Sequence, residues 1–258
     1  MKPAENIQEV LAQLDANIDQ ALESKGAAWG IFPALYRRVT QAVADGIEAG
    51  DFEDGARMNQ LDTIFANRYL EAFVLWQKNK PTSKVWEIAF QAATDTRRRP
   101  LMHVLLGMNA HIVLDLGLAT AATAHYYQIP IEALKSDFMA INDLLQKRVD
   151  QIQEILATIQ PEIGWLDKWG RRWDEWLAKR LLGATRRYAW ELACQSFLTS
   201  PEHLPALELK ADQRAVKLSK LMLNPPLWKI FWVMRALFPH QNPSVKDFIL
   251  ALRNPGNS

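Results

Sequence analysis

The amino-acid sequence predicts an all-α fold, and this prediction rests on two observations. Along nearly the whole chain, apolar residues recur at intervals of three and four, as on one face of a helix, whereas the strict alternation of a half-buried strand is almost absent. Glycines and prolines stand between these periodic segments and divide them. We therefore expect a bundle of about ten helices packed around one central apolar helix.

Length and composition favour a single domain. The chain has 258 residues, of which 49% are hydrophobic and 23% charged, and this is the composition of a globular protein with one large core. Because no segment has the character of a linker, we expect one all-helical domain over residues 1–258. Its core is expected at about 30–200, followed by a C-terminal helical extension at about 205–253.

The first four helices are predicted at about 7–24, 33–49, 56–77 and 84–94. Gly26 and Gly30 interrupt the chain before the second helix. Gly50 ends that helix, and Pro81 follows the third. The first helix shows the periodicity well, because its apolar residues share one face: Val10, Leu11, Leu14, Ile18 and Leu22.

The central helix is predicted at about 100–127, between Pro100 and Pro130. Pro130 suits the first turn of the next helix, which is long, covers about 131–160 and ends at Pro161. The remaining helices are predicted at about 165–182, 183–198, 210–223, 226–238 and 244–252.

The central helix is almost wholly apolar, yet it carries four polar side chains: His103, Asn109, His111 and Asp115. An ionisable group on such a helix is costly to bury without a partner. His111 and Asp115 are four residues apart, so their side chains meet on one helical face. Gly107 lies between the two histidines and leaves room for close packing or for a ligand. Asn109 lies on the opposite arc, where we expect contact with a neighbouring helix.

Two interpretations of His111 and Asp115 stay open. They form half of a metal site, or they form a hydrogen-bonded pair that serves either as an acid–base couple or as a structural element of the bundle. In the first case, one divalent metal, zinc or iron, suits histidine and carboxylate ligands. Asp62, on the third predicted helix, is then a candidate for a further ligand.

Three more residues are candidates for the catalytic site. His103 lies about 12 Å before His111 along the helix axis, too far to share one metal, and is a candidate second base or substrate contact. Asp137 and Asn142, on the following predicted helix, are candidates to complete the site.

The central helix resembles the signature of a bacterial family of uncharacterised all-helical proteins, a domain of unknown function. The signature, Gly-Met-Asn-Ala-His-Ile-x-x-Asp-Leu, is matched from Gly107 to Leu116. The other matching positions are an aromatic helix over Phe65–Phe73, Trp86, Phe90, His103, Asp137, Phe138 and Asn142. The resemblance covers about residues 30–195 and implies a helical fold with a site on the central helix, but no activity. Val113 departs from the pattern, which has a polar residue there, often Asn.

A weaker similarity connects His111 and Asp115 with the zinc-dependent phospholipase C and single-strand nuclease class. Those all-α enzymes use a helical His-x-x-x-Asp or His-x-x-x-Glu pair as metal ligands. The present chain departs from that class, since it has five histidines, no secretion signal and no N-terminal Trp ligand. We therefore expect one metal or none, rather than a trinuclear site.

Two further segments are candidates for surface or substrate contact. The predicted helix at about 165–182 carries most of its charges on one face. The opposite face carries four tryptophans: Trp165, Trp169, Trp173 and Trp176. Core packing, contact with a membrane or lipid-like substrate, and contact with a protein partner all fit this amphipathic pattern. Arg97 and Arg98 precede the central helix, where they either bind a phosphate group or form part of a solvated loop.

Charge, cysteine content and hydropathy exclude several classes. A net charge of +1 argues against binding to a nucleic-acid backbone. The single cysteine, Cys194, permits neither a disulfide within the chain nor a thiolate-rich zinc site. The N-terminus has no apolar secretory segment, and no uninterrupted apolar run of about 18 residues predicts a transmembrane helix. We expect a cytoplasmic protein, with peripheral membrane contact as an additional expectation for the tryptophan-rich helix.

These features predict a helical enzyme that hydrolyses an ester or phosphoester of an apolar or lipid-like substrate, with metal-activated water if a metal is bound. The alternative is a non-catalytic helical protein that binds a lipid, a pigment or a protein partner. In that alternative, His111 and Asp115 are structural. The sequence leaves the oligomeric state open.

Overall fold

The computed structural model describes residues 2–24, 27–95, 98, 100–141, 183–224 and 244–253. Across this described part, the fold is all-α, with nine helices and no strand, which confirms the predicted class. In chain order the helices are α1 Ile7–Glu23, α2 Ile31–Ala49, α3 Gly55–Gln77, α4 Lys84–Ala92, α5 Pro100–Tyr127, α6 135–141, α7 183–198, α8 Leu204–Leu223 and α9 Val245–Arg253.

Local sequence signals place several helix ends. The Asn6 side chain accepts a hydrogen bond from the Glu9 backbone N–H at 3.0 Å and caps α1. Asp54 caps α3 in the same way, accepting from the Arg57 N–H at 2.9 Å. After α2, Gly50 adopts a left-handed conformation with φ of 74°, which a residue without Cβ tolerates easily.

Some predicted boundaries are wrong. The helix expected to start at about 210 begins at Leu204, because Pro205 fits its first turn, where the missing N–H costs nothing. The long helix expected from 131 starts instead with a 3₁₀ turn over Ile131–Leu134, and α6 follows it. The predicted helices at about 165–182 and 226–238, and the stretch 142–160, lie outside the described residues.

The centre of the fold is α5. It packs against α2, α4 and α8, and its C-terminal part packs against α3. By length and composition alone, α5 could cross a membrane, although the sequence analysis predicts no such helix. In its most apolar window, however, 83% of the residues are buried inside the protein, as in the core helix of a soluble protein.

The hydrogen-bonding pattern of α5 changes in its middle. An α-helical segment, Pro100–Asn109, is followed by a π-helical segment, Ala110–Asp115, and then by a second α-helical segment, Leu116–Tyr127. A π segment bonds each N–H to the carbonyl five residues earlier, and such segments frequently occur at functional sites. His111 and Asp115 both lie inside this segment, which the sequence analysis does not predict.

An aromatic core surrounds α5. Its large side chains come from α2, α3 and α4: Phe32, Tyr36, Tyr69, Phe73, Trp86 and Phe90. Because Gly107 has no side chain, the Phe32 ring packs directly against the backbone of α5. A Cβ atom at position 107 would lie 2.3 Å from Cδ2 of Phe32. The room that the sequence analysis expects at Gly107 is therefore occupied by the Phe32 ring.

Candidate functional site

The central contact of the site is the predicted pairing of His111 with Asp115. His111 Nδ1 lies 3.2 Å from Asp115 Oδ2, and both residues are almost fully buried, at 3% and 2% exposure. An ionised carboxylate only accepts hydrogen bonds, so the geometry assigns the Nδ1 proton to His111 and makes Nδ1–H the donor. The four-residue spacing in the sequence therefore identifies this pair.

Asp115 receives two more hydrogen bonds, from helices far away in sequence. The Trp86 Nε1–H of α4 donates to Oδ2 at 2.9 Å, and the Arg68 Nε–H of α3 donates to Oδ1 at 3.0 Å. With His111, three donors thus hold one buried carboxylate. This number of partners offsets the cost of removing its charge from water.

Arg68 connects the buried carboxylate to the surface. Its guanidinium also forms an ion pair with Glu208 of α8, and its side chain is 31% exposed. The Arg68 guanidinium therefore bridges an interior carboxylate and a half-exposed one. α3, α5 and α8 are joined at this point.

Aromatic rings enclose the imidazole of His111. The Phe65 ring stacks on it with centroids 3.5 Å apart and an angle of 8° between the planes. Tyr36 packs edge-on at 4.5 Å, and Phe32 does so at 5.7 Å. Within the described structure, His111 Nε2 is buried and has no hydrogen-bond partner.

Burial sets the protonation state of His111. It lowers the pKa of His111 below its usual value, and the hydrogen bond with Asp115 opposes this effect only in part. The ring is therefore neutral near pH 7, with a proton on Nδ1 and a free lone pair on Nε2. A neutral imidazole held in this way can accept a proton at Nε2.

Asp62 is buried near this pair but is not bonded to it. Among the described residues, no hydrogen bond or ion pair joins Asp62 to His111 or Asp115, and Asp62 Oδ2 has no partner. Burial raises the pKa of Asp62 to about 7. The neighbouring Tyr36 hydroxyl is also buried and lacks a hydrogen bond of standard geometry. Burial, reinforced by the Asp62 charge, raises the pKa of Tyr36 well above its usual value.

Asp137, a predicted residue of the site, is paired with α3 and with the loop before it. Its Oδ2 forms an ion pair with Arg57 at 2.7 Å, and its Oδ1 accepts a hydrogen bond from the Glu53 backbone N–H at 2.7 Å. Asp137 therefore ties α6 to the loop before α3 and to the first turn of α3. Both oxygens are engaged there, and none of their hydrogen bonds is to His111.

His103 lies apart from His111, in an environment of its own. It lines a cavity of about 20 Å³ together with aromatic side chains of α2 and α4, and neither of its ring nitrogens has a partner in the described structure. Burial, together with the nearby charge of Arg98, lowers the pKa of His103 to about 4.

Of the remaining predicted contact residues, the structure describes Asn109 and Arg98. Asn109 does contact a neighbouring helix, since its Nδ2 donates to the Ala215 carbonyl at 2.8 Å and to Ser219 Oγ at 3.0 Å, both on α8. Arg98 Nε lies 3.5 Å from Asp95 Oδ2. The other proposed contacts lie outside the described residues: Arg97, Asn142, Trp165, Trp169, Trp173 and Trp176.

Sequence reasoning missed the residues that hold Asp115 in place. It names neither Arg68 nor Trp86 as a partner of the carboxylate. Arg68 lies among the aromatic residues Phe65, Tyr69 and Phe73 of its helix, and a guanidinium packed between such rings needs an acceptor. This is the available signal for Arg68. The Tyr36 and Phe65 rings around His111 give no comparable signal, because aromatic residues are common in any core.

The donor set is poor in further metal ligands. In the part of the chain that the structure describes, no group of three or more His, Cys, Asp or Glu side chains is placed to hold a metal ion. Both oxygens of Asp115 already accept hydrogen bonds, one of them from a guanidinium. The metal set His111, Asp115 and Asp62 stays a prediction.

The chain was compared with protein families, curated proteins and solved structures. No curated protein and no solved structure matches it. A family model, described as a family of unknown function, matches residues 7–225 and thus spans α1 to α8, including Arg68, Trp86 and His111, which hydrogen-bond Asp115. This range extends beyond the expected 30–195 at both ends. Because the family model matches most of the chain, the chain belongs to the family of unknown function DUF5995.

Proposed function

We propose that this chain is a helical enzyme in which His111 acts as a general base and Asp115 positions it. One observation supports this proposal above the others. His111 Nδ1 is bonded to a buried carboxylate, while its Nε2 is buried, unprotonated and without a partner in the described structure. A carboxylate that holds a histidine in one tautomer is the arrangement that hydrolytic triads use to aim a general base.

The partners of Asp115 support this role. Arg68 and Trp86 approach the carboxylate from two other helices and limit its rotation. A fixed carboxylate fixes the Nδ1–H direction and hence the plane of the imidazole, while the stacked Phe65 ring supports one face. Such preorganisation lowers the cost of reaching a reactive geometry.

The same contacts favour acid–base chemistry over metal binding at this pair. A metal bound by Asp115 would compete for the carboxylate with hydrogen bonds from Arg68, Trp86 and His111. It would also lie beside the positive guanidinium of Arg68, which repels a cation. Metal-dependent hydrolysis remains the second form of the proposal, with His111 Nε2 as the free ligand atom.

The proposed reaction is hydrolysis of an ester of a small apolar alcohol or acid. The oxygen of a water molecule attacks the ester carbonyl carbon while His111 Nε2 accepts a proton from that water. The carbon–oxygen bond to the leaving alcohol then breaks, and His111 returns the proton to the departing oxygen. The aromatic rings around His111 favour an apolar substrate over a charged one.

The first test is hydrolysis of 4-nitrophenyl butyrate by the wild type and by His111→Gln. Loss of a general base predicts a fall in kcat/KM of about 10²–10⁴-fold, with the helical circular dichroism spectrum kept. His125→Gln is the matched control, because His125 is an exposed histidine near the end of the same helix. Equal kcat/KM in the wild type and His111→Gln would overturn the proposal.

Asp115→Asn separates this proposal from the alternative of a non-catalytic binding protein. If Asp115 positions a catalytic base, the variant loses kcat while its KM changes little, since the wrong tautomer is stabilised. If the pair is purely structural, the variant loses stability and the protein has no hydrolytic activity to lose. Contact with lipid-like molecules or a membrane surface, and a cytoplasmic location, stay predictions alongside either function.

A further inference from the structure

The N-terminus of α4 is capped by a residue of another helix. Ser83 occupies the N-cap position, but its hydroxyl makes no capping hydrogen bond and, within the described residues, it is buried without a partner. The first two backbone N–H groups of α4 donate instead to Asp212 of α8. The Lys84 N–H bonds to Oδ2 at 3.0 Å, and the Val85 N–H bonds to Oδ1 at 2.9 Å. Asp212 therefore supplies the cap that Ser83 does not.

This cap determines where the first turn of α4 lies. Asp212 is 7% exposed, and a carboxylate at the N-terminus of a helix satisfies free N–H groups and interacts favourably with the helix dipole. α4 has only nine residues, too few for a stable isolated helix, so its contacts with other helices fix its position. Trp86 is its third residue and donates to Asp115, so the direction of that hydrogen bond depends on Asp212.

A second acid on the same face of α8 holds the other donor to Asp115. Glu208 precedes Asp212 by four residues, so the two carboxylates lie about one turn apart. Glu208 forms an ion pair with Arg68 Nη2, while Arg68 Nε donates to Asp115 Oδ1 at 3.0 Å. Arg68 and Trp86, which reach the buried carboxylate from α3 and α4, are thus both anchored by acids of α8.

α8 is itself fixed to the helix that carries Asp115. It packs against the π-helical segment of α5, and its buried residues besides Asp212 are small: Ala211, Ala215 and Ser219. Asn109 of α5 donates to the Ala215 carbonyl and to Ser219 Oγ. α8 is therefore hydrogen-bonded to the helix of the acceptor and to the helices of both donors, and it holds the three together.

We propose that Asp212 and Glu208 are positioning residues of the His111 site. Asp212 fixes the place from which Trp86 donates to the buried carboxylate. Glu208 does the same for Arg68. The effect of the two acids on hydrolysis rests on the proposed function, whereas their effect on the two hydrogen bonds does not. The test therefore measures the hydrogen bonds first and the reaction second.

The first experiment measures hydrogen exchange of two side-chain N–H groups by ¹⁵N NMR on the full chain. The Trp86 Nε1–H and Arg68 Nε–H resonances are assigned by their absence in Trp86→Phe and Arg68→Lys. Asp212→Asn keeps the shape of the side chain but removes its charge and one acceptor, so exchange at Trp86 should become about tenfold faster. Exchange at Arg68 should change by less than about twofold, because Asp212 does not hold that side chain.

Glu208→Gln is the reciprocal variant. It should accelerate exchange at Arg68 about three- to fivefold, as loss of a partly exposed ion pair predicts, and leave exchange at Trp86 within about twofold. Because Glu208 is half-exposed, this variant carries the test if Asp212→Asn does not fold. Glu202→Gln removes an exposed carboxylate just before α8 and is the matched control, which should alter neither rate. Unchanged exchange at Trp86 in Asp212→Asn, or equal acceleration of both groups in both variants, would overturn the proposal.

The second experiment is a double-mutant cycle on the hydrolysis of 4-nitrophenyl butyrate. Asp212→Asn should lower kcat about tenfold and leave KM within about twofold, because the carboxylate that aims His111 is displaced while substrate binding is kept. In a Trp86→Phe background, where the linking hydrogen bond is already absent, Asp212→Asn should lower kcat by less than about twofold further. Equal losses of kcat in the two backgrounds would show that Asp212 does not act through Trp86.

The outcomes distinguish failure of this proposal from failure of the proposed hydrolysis. A wild type that does not hydrolyse the ester, but shows the expected exchange pattern, would remove the hydrolysis and leave the anchoring by Asp212 and Glu208. Hydrolysis that depends on His111, with unchanged exchange in both α8 variants, would leave the first proposal standing and remove this one.

Discussion

Two histidines on α5 have nearly the same burial and opposite surroundings. His103, in the α-helical segment, and His111, in the π-helical segment, are 4% and 3% exposed. His111 bonds a carboxylate that two other helices also hold, whereas both nitrogens of His103 lack a partner among the described residues. Burial alone therefore does not decide what a buried histidine does. His111 has a carboxylate within reach on its own helix, and the neighbouring helices hold that carboxylate in place.

The two regions also differ in what acts on the pKa of each histidine and in how the space beside each ring is filled. At His111, Asp115 opposes the effect of burial, and the pair is part of a network joining α3, α4 and α5. At His103, burial is the dominant influence on the ring, and the cavity beside it is unfilled by side chains. The first region is preorganised around a carboxylate, and the second is a buried imidazole beside a small cavity lined by aromatic rings.

Replacing Asp115 with Ala should have the largest effect, because it makes the surroundings of His111 like those of His103. Trp86 and His111 lose this acceptor and Arg68 keeps only Glu208, so the free energy of unfolding should fall by about 3–5 kcal/mol in urea denaturation. Glu71→Ala, which removes an exposed carboxylate in the middle of α3, is the control and should change the stability by less than about 1 kcal/mol. Equal losses in the two variants would show that the network does not stabilise the fold.

Asp62→Asn sharpens the contrast between a partnered and an unpartnered carboxyl group. The folded pKa of about 7 lies above the unfolded value near 3.8, so the folded state binds the proton more tightly. The stabilisation from protonated Asp62 is complete below pH 3.8 and is lost as the pH rises through 7. The stability of Asp62→Asn relative to wild type should therefore increase by about 4 kcal/mol between pH 4 and pH 7.5. A constant difference across this range, in urea unfolding at each pH, would contradict the raised pKa.

His103→Leu tests the buried histidine, whose pKa is shifted by burial in the opposite direction to that of Asp62. The folded pKa of about 4 lies below the unfolded value of 6.5, so the unfolded state binds the proton more tightly. The wild type should lose about 3 kcal/mol from this residue as the pH falls from 6.5 to 4, and none above pH 7. The variant, with no ionisable group at 103, should lack this loss, as thermal unfolding across the same pH range will show. Parallel pH curves for the two proteins would mean that His103 is solvated in the folded state.

Gly107→Ala should have the smallest effect and tests the wall between the two histidines. The added Cβ would lie 2.3 Å from Cδ2 of Phe32, so the ring must move, and the cost should be about 1–3 kcal/mol even though Ala favours the helix. Gly183→Ala is the matched control, because no atom of the described residues lies within 4 Å of a Cβ built there, and it should be neutral or stabilising. If Gly107→Ala is equally harmless, the Phe32 ring is free to move away from position 107.

Most helices in the described part could be predicted from the sequence, because periodicity and capping act locally. The predicted bounds of α1, α2, α3 and α9 agree with the structure within about two residues. The π segment could not be predicted, since the run from Gly107 to Asp115 contains no residue that forbids an α-helix. The change in bonding depends on the packing around α5.

Site prediction succeeded within one helix and failed between helices. The contact between His111 and Asp115 follows from a four-residue spacing. The Arg68 and Trp86 contacts join residues 47 and 29 positions away from Asp115, so no local pattern reports them. The ion pair of Asp137 could not be predicted for the same reason, because its partner Arg57 lies 80 residues earlier in the chain. The expected place of Asp137 in the site stays a prediction.

The sequence by itself determined the helical class, the central apolar helix and the pairing of His111 with Asp115. These follow from residue spacing along a single helix, which the 3.6-residue repeat converts directly into neighbours. Only the tertiary structure decided that Asp115 is held by Arg68 and Trp86, that His111 is enclosed by Phe65 and Tyr36, and that His103 faces a cavity. Those contacts depend on how separate helices pack, and packing is set by the shapes of many side chains at once.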